Sequence, residues 1–379
     1  MTELSGLSVN AKTQDHAAKI LFGDDPNPQD KFIYTNLADE FPGYEYSFGK
    51  STYLGENPSE GGYVYSEPGV YEDVALFDVE SMHPWSLIAL NHFGPYTKNF
   101  KDLVVTRMCI KHKDFDAARE LYNGRLKPYL EDVNEAKDLS NALKGVINIV
   151  YGMTSAKFPN KFKHPDNHDN IVAKRGALFI MTLKKEVQEL GYQVVHTKTD
   201  SIKVVGATEE LKRFIWEFAE KYGYSFEHEK TFGCMGLINK STYAGWYEVD
   251  DDIRWETVGT QFIEPVVRKR LFTKEDVVET DYFLRKNARL PIYIGERFVG
   301  KFAEVYASKT GEELKRVDGD KSAYVSGTKG YLWRLSSEYS GYEDLDMVYY
   351  DGLVNSAKEE LEKVDSSGLI GGLLVGYEE

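Results

Sequence analysis

Two aspartates bracket the part of this sequence whose residue types could do chemistry. Asp78 ends the apolar run VALF, and Asp200 lies in HTKTDSIKV between two β-rich runs. Either alone is an ordinary strand-end or turn aspartate, whose carboxylate readily bonds its own backbone. What lies between them changes the reading. Lys137, Asn141, Lys144, Asn148 and Tyr151 fall at i, i+4, i+7, i+11 and i+14, so one helix face carries two lysines, two amides and a phenol. Such a stripe by itself is the usual solvated face, but Gly152 after Tyr151 lets a ligand approach the backbone closely. Two carboxylates can hold a pair of divalent ions ~3.5–4 Å apart. Cations aimed at phosphates supply the charge stabilisation on which phosphoryl transfer depends. The order carboxylate, lysine-bearing helix, carboxylate is therefore that of nucleotidyl-transfer chemistry.

These side chains need elements to hold them. Residues 61–81 alternate apolar and polar positions with turns, predicting strands that lead into Asp78. Residues 115–152 predict two helices with a break near Pro128 and Asp132; Leu139, Leu143, Val146, Ile147 and Val150 would form the buried side of the second. A further helix spans 170–191 and stops at Gly191. The runs YQVVHT and SIKVVG flank Lys198-Thr199-Asp200 as a hairpin, and 208–223 is an amphipathic helix. Beyond about 250 the pattern predicts a helical piece over 274–290 and β-like runs at 297–308 and 329–336. Residues 1–60 read as irregular and acidic, with turn clusters GDDPNPQD and GENPSEGG. No internal repeat is present.

The net charge of −15 does not exclude a nucleic-acid partner, because it is concentrated at the ends. Residues 1–75 hold 13 acids and 4 bases, and 338–379 hold 11 and 2, whereas 76–337 hold 37 and 40. Phosphate binding follows the local field, not the total. Two cysteines, Cys109 and Cys234, are too few for a disulfide framework and suit a reducing compartment. The start MTELSGLSVN lacks a signal-peptide pattern, and the apolar runs are too short to span a bilayer. The expected location is the cytoplasm, that of the host if the gene is a phage's.

Four stretches resemble motifs of the family B DNA polymerases, particularly phage members. DVESMHPWS, from Asp78, is similar to motif A, D-x-x-S-L-Y-P-S; KGVINIVYG, from Lys144, to motif B, K-x-x-x-N-S-x-Y-G; HTKTDS, ending at Ser201, to motif C, Y-x-D-T-D-S; and KSTYAG, from Lys240, to K-K-x-Y-x-G. The resemblance covers roughly 61–250. It implies an α+β palm–fingers–thumb fold with a ferredoxin-like antiparallel palm sheet and a helical-hairpin fingers. The expected domains are an acidic N-terminal layer or arm (1–60), palm (61–100), fingers (101–152), palm again (153–250) and a thumb-like region with an acidic tail (251–379).

The implied activity is template-directed addition of dNTPs to a primer 3′-hydroxyl with two Mg²⁺ ions, Mn²⁺ being a substitute. Asp78 and Asp200 would be the catalytic, metal-binding pair, with the Val79 carbonyl a third ligand. Ser81 and Met82 would hold the triphosphate by their backbone, and Lys144 would neutralise it. Lys137 is a second phosphate contact by position, and Arg107 and Arg125 are further cations in range of the motifs. His83 would lie at the sugar, and Asn148 and Tyr151 at the nascent base pair. Gly152, Lys198, Thr199, Ser201, Lys240 and Tyr243 would touch primer–template DNA.

Departures from the motifs sharpen these expectations. His83 stands where a tyrosine excludes a 2′-hydroxyl, so ribonucleotide discrimination is in question. Lys198 replaces the first aspartate of D-T-D and is expected to contact a backbone phosphate or the nearby carboxylates. Ile149 replaces a serine, and Ser241 a lysine. Asp78-Val79-Glu80 is also the D-x-E with which a 3′→5′ exonuclease begins its metal site, but no further exonuclease carboxylates follow, which makes Glu80 a spacer. Only 77 residues precede Asp78, too few for an exonuclease domain. That predicts either the polymerase part of a split enzyme, with a separately encoded exonuclease and other replication proteins as partners, or an enzyme without proofreading. Two competing readings are a degenerate homologue that only binds DNA or the replisome, and a reverse transcriptase; N-x-x-Y-G disfavours the second.

Overall fold

In the computed structural model, which describes residues 1–376, packing separates two units. One comprises Met1–Val64, Phe77–Ile202 and Thr208–Glu229; the other comprises Tyr65–Leu76, Lys203–Ala207 and the chain from Lys230 on. The chain runs α1 (Thr2–Ser5), α2 (Thr13–Phe22), a small hairpin of β1 (Glu45–Ser47) and β2 (Lys50–Thr52), then β3 (Val64–Ser66) and β4 (Gly69–Val79). Helices α3 (Met82–Ala89), α4 (Thr97–Lys111), α5 (Phe115–Glu120), α6 (Val133–Thr154) and α7 (Ile171–Glu189) follow. Strands β5 (Val194–Lys198) and β6 (Ser201–Val205) form the expected hairpin, and α8 (Glu209–Lys221) precedes β7 (Phe226–Asn239), β8 (Thr242–Val249) and β9 (Asp252–Val258). The strands from β3 to β9 make one sheet in the order β3-β5-β6-β4-β7-β8-β9. Among the described residues no helix is long and apolar enough to cross a membrane.

In the first unit α7 is the central element. Its first turns are buried all round, including the charged Lys174 and Arg175. A buried guanidinium needs its charge matched, and Arg175 binds Glu40 through Nε at 2.8 Å and Nη2 at 2.5 Å, the Tyr222 carbonyl at 2.8 Å, and lies over the Tyr224 ring. Gly176, one residue on, has no side chain where the Met82 thioether sits, so α3 can start directly against α7. Helix α6 begins at the expected break near Asp132, whose carboxylate caps it by accepting from the amides of Asn134 and Glu135. Its apolar stripe is buried, and Lys137, Asn141, Lys144 and Asn148 are exposed.

Two expectations need correction. Residues 1–60 are not irregular throughout: α2 buries His16, Ala17, Leu21 and Phe22, and the Phe22 ring meets Phe32, Phe93, Tyr96 and Phe162 at 5.3–5.7 Å. The expected helix over 274–290 is absent. A 3₁₀ turn at Glu279–Tyr282 leads into strand β10 (Leu284–Ile294). Pairing of residues 284–287 with β11 (Arg297–Ser308) overrides the helical spacing there, and β12 (Leu314–Asp318) pairs the continuation of the strand at residues 292–294.

The second unit contains α9 (Pro265–Arg268), strands β10 to β12, β13 (Lys321–Tyr324), β14 (Leu332–Leu335) and α10 (Met347–Val364). Its five-stranded antiparallel sheet has the order β13-β12-β10-β11-β14. The core of this unit includes Trp333, Tyr306, Tyr350, Phe262 and Phe272. β11 coincides with the expected run 297–308, and β14 lies inside 329–336.

Candidate active site

Strand β4 delivers Asp78 to its C-terminal end, and the β5–β6 hairpin delivers Asp200 to its turn. A backbone bond joins the two segments: the Val79 amide donates to the Asp200 carbonyl at 2.8 Å. The turn is held from its other side by the Thr199 amide, which donates to the Tyr63 carbonyl at 2.9 Å. Thr199 has φ 55°, a left-handed conformation that is costly for a β-branched residue. Gly62 closes over it, since a Cβ there would sit 2.8 Å from the threonine Cγ2. A strained residue so enclosed fixes where the next side chain, Asp200, points.

The electrostatics separate the carboxylates at this end of β4. Burial pushes the Asp78 carboxyl up to about 7, and the charges of Asp200, Glu229 and Glu227 add to the effect, against Lys111. Asp200 is also raised, by burial and then by Glu229, against a backbone hydrogen bond. Among the described residues no cation is paired with either aspartate. Two half-buried carboxylates with unbalanced charge are the hard oxygen donors that Mg²⁺ or Mn²⁺ takes, so the residues fit a divalent ion.

Glu80 stands in the opposite condition. Its Oε1 meets Lys111 Nζ at 3.0 Å and His112 Nε2 at 2.9 Å, and Ser225 Oγ donates to its Oε2 at 3.2 Å. Lys111 also bonds Glu227, at 2.8 and 2.9 Å. Burial alone would raise Glu80, but the hydrogen bonds of Glu227, Lys111 and His112 outweigh it and bring the carboxyl to about 2. Glu80, His112 and Glu227 lie close enough to share a metal, but the Lys111 ammonium already sits among them.

The His83 and Tyr151 rings stack at 4.2 Å and 8°. Burial pushes the imidazole down to about 4, and its Nδ1 has no partner, so His83 is neutral at physiological pH. Ser81, at φ 55°, turns the chain from β4 into α3, and Arg107 Nη1 reaches its hydroxyl at 3.2 Å. The buried Nε of Arg107 is unpartnered. A guanidinium beside a helix start suits an anion.

The remaining expected residues are placed as follows. Met82 is buried on α3; Lys144, Asn148, Lys137 and Gly152 lie on the exposed side of α6. Lys198 is exposed and makes no ion pair among the described residues; its carbonyl accepts from the Asp200 amide and from Ser201 Oγ. Arg125 is turned toward the chain start, 3.5 Å from the Glu3 carbonyl. Lys240 and Tyr243 belong to the second unit. Lys240 is exposed in the β7–β8 turn, whereas Tyr243 is buried, donates its hydroxyl to Glu256 and has the Lys203 ammonium 4.8 Å from its ring centre. Sequence reasoning did not single out Lys111, His112, Glu227 or Glu229. The alternating acids of FEHEK were the one signal for Glu227 and Glu229, and it resembles any solvated strand.

No family model matches the sequence. Curated relatives do. A DNA polymerase of Archaeoglobus fulgidus is 27% identical over 210 residues, covering 50% of this chain and 26% of that protein. DNA polymerase 2 of Aeropyrum pernix is 26% identical over 203 residues, 47% of this chain and 25% of that protein. DNA polymerase II of Escherichia coli is 27% identical over 235 residues, 57% and 28% respectively. The chain thus spans about a quarter of the length of these relatives. In shape it is similar to the family B DNA polymerase from the hyperthermophilic archaeon Pyrobaculum calidifontis, with a TM-score of 0.50 and 13% identity, over 96% of this chain and 53% of that one.

Proposed function

Sequence and fold both resemble family B DNA polymerases, and from that premise we propose that this chain carries a polymerase active site that adds dNTPs to a primer 3′-hydroxyl on a DNA template. The observation that carries the reading is the Val79–Asp200 backbone bond, which brings together two aspartates 122 positions apart, both raised above the ordinary carboxylate range. The sheet bearing them is the palm, α5 and α6 with their connecting turns are the fingers, and the region after about 250 holds the thumb position.

Asp78, Asp200 and the Val79 carbonyl would hold the Mg²⁺ ions. When bound, these ions supply positive charge to the attacking hydroxyl and to the triphosphate. The chain's own residues do the positioning. The start of α3, with Ser81 and Met82, presents amides to phosphate oxygens, and Arg107 beside it offers a buried charge whose Nε is unpartnered. Lys144 and Lys137, on the exposed stripe of α6, add cations for the triphosphate. The stacked His83–Tyr151 pair offers a flat, neutral floor for the sugar and base. Lys198, without a carboxylate partner, is available for a backbone phosphate.

Primer extension by the purified chain with dNTPs and Mg²⁺ tests this reading. Extension by the wild type that Asp200→Ala abolishes, with primer–template binding retained, supports it. Binding without extension by the wild type sinks it in favour of a DNA-binding homologue.

A further inference from the structure

Lys174 is a buried cation that the polymerase reading does not use. It lies on the first turn of α7, is 3% exposed, and makes no ion pair among the described residues. Its Nζ donates to the backbone carbonyl of Ser59. Burial disfavours its charged form, and Asp169 and Glu60 favour it. An ammonium buried against a peptide carbonyl is less stable than an apolar side chain of the same size. Folding alone therefore does not explain the lysine.

Ser59 belongs to the segment 57–63, which is tied to α7 on one side and to the hairpin turn on the other. Asn170, Lys174 and Lys184, at i, i+4 and i+14, share a face of α7. Asn170 Nδ2 donates to the Glu60 carbonyl at 3.2 Å. Lys184 Nζ donates to Tyr63 Oη at 2.6 Å and to Glu56 Oε1 at 3.0 Å. Within the segment, the Ser59 amide donates to Asn57 Oδ1 at 2.8 Å and the Ser59 hydroxyl to the Gly62 carbonyl. The far end bears on Thr199: Gly62 lies over its side chain, and the Tyr63 carbonyl accepts from its amide. Ser59 has φ 63° and Thr199 φ 55°, left-handed conformations that persist only where the surroundings enforce them.

We propose that Lys174 is a positioning residue of the active site. By fixing the Ser59 carbonyl it clamps segment 57–63 onto the hairpin turn and holds Thr199 in its left-handed conformation. The next side chain, Asp200, is thereby aimed at the metal position. The aiming role rests on the proposed polymerase site, whereas the clamp is measurable without metal.

Amide hydrogen exchange on the whole protein, wild type against K174M, reads the clamp. The Thr199 amide should exchange about tenfold faster in K174M, with α8 unchanged. K174M should melt no lower than the wild type, because it removes a buried unmatched charge and water can reach the exposed Ser59. Mn²⁺ titration followed by electron paramagnetic resonance reads the aim. K174M should weaken by roughly tenfold the binding that D200A removes. T199G, which adopts a left-handed φ freely, should weaken it similarly, and K174M/T199G no further than either change alone. Unchanged Thr199 exchange in K174M overturns the proposal. So do additive losses in the double variant, or Mn²⁺ affinity that falls only in step with a lowered melting temperature. Wild-type Mn²⁺ binding no tighter than that of D200A takes down the polymerase reading and the aiming role together, while Thr199 exchange still decides the clamp.

Discussion

Asp78 and Glu80 are two residues apart on one strand end, yet their surroundings treat them oppositely. Asp78 has burial and three other carboxylates around it and rises to about 7; Glu80 has Lys111, His112 and Ser225 and falls to about 2. A carboxylate already matched by a lysine has little to gain from a metal ion. One left unmatched beside another is destabilising until a cation arrives. The difference favours the proposed placement of a divalent ion at Asp78 and Asp200 over one at the D-x-E pair Asp78 and Glu80.

Breaking each corner in turn tests this contrast. The largest effect is expected from Asp200→Ala or Asp78→Ala, which should lower primer extension by on the order of 10³-fold or more. Glu80→Gln should leave most of it; equal losses in gel-based extension assays would erase the distinction.

Stability should move the other way at the first corner. The folded-state value of about 7 for Asp78 lies above the ordinary 3.8, so the contribution of its protonated form is complete below pH 3.8 and is lost as pH rises through 7. Without metal, Asp78→Asn should therefore stabilise the protein above pH 7, by about 1–2 kcal/mol once partial exposure is discounted. Thermal melts at pH 8 and pH 4 would check this, with Mg²⁺ removing the difference.

At the second corner the sign reverses. Glu80 is depressed, so its contribution is present above pH 4.5 and is lost as pH falls through about 2. Lys111→Met should cost about 1 kcal/mol in denaturant titrations at pH 7, and Lys111→Arg should recover part of it. A stabilising Lys111→Met would mean that the lysine is not the counter-ion described. The smallest effect concerns His83, whose neutral form is favoured down to about 4, so its contribution fades as pH drops below 6.5 toward that value. His83→Phe should lessen the acid sensitivity of unfolding at pH 6 by under about 1 kcal/mol.

How far these features could be read beforehand depends on how local their causes are. Helix α6 was legible because a 3.6-residue apolar period and the Asp132 cap both lie within the segment. The β5–β6 hairpin and α7 were legible for the same reason, with ends within a residue or two. Segment 274–290 was not, because its C-terminal part is held as a strand by β11, which lies later in the chain. Helix α4 was passed over because its apolar residues Phe100, Leu103, Val104 and Ile110 are diluted among charged ones. Within the site, single letters could propose Asp78 and Asp200. The ammonium of Lys111 between Glu80 and Glu227 joins three distant segments and has no sequence signature. The His83–Tyr151 stack likewise depends on two motifs meeting in space.

The amide of Val79 and the carbonyl of Asp200 belong to the peptide chain itself, so the bond between them is blind to side-chain identity. Positions 79 and 198 can change side chain without removing the bond that sets where the two aspartates meet. The alignment of the site is thus inherited as a shape, and mutation can alter its chemistry one letter at a time while its alignment stays in place.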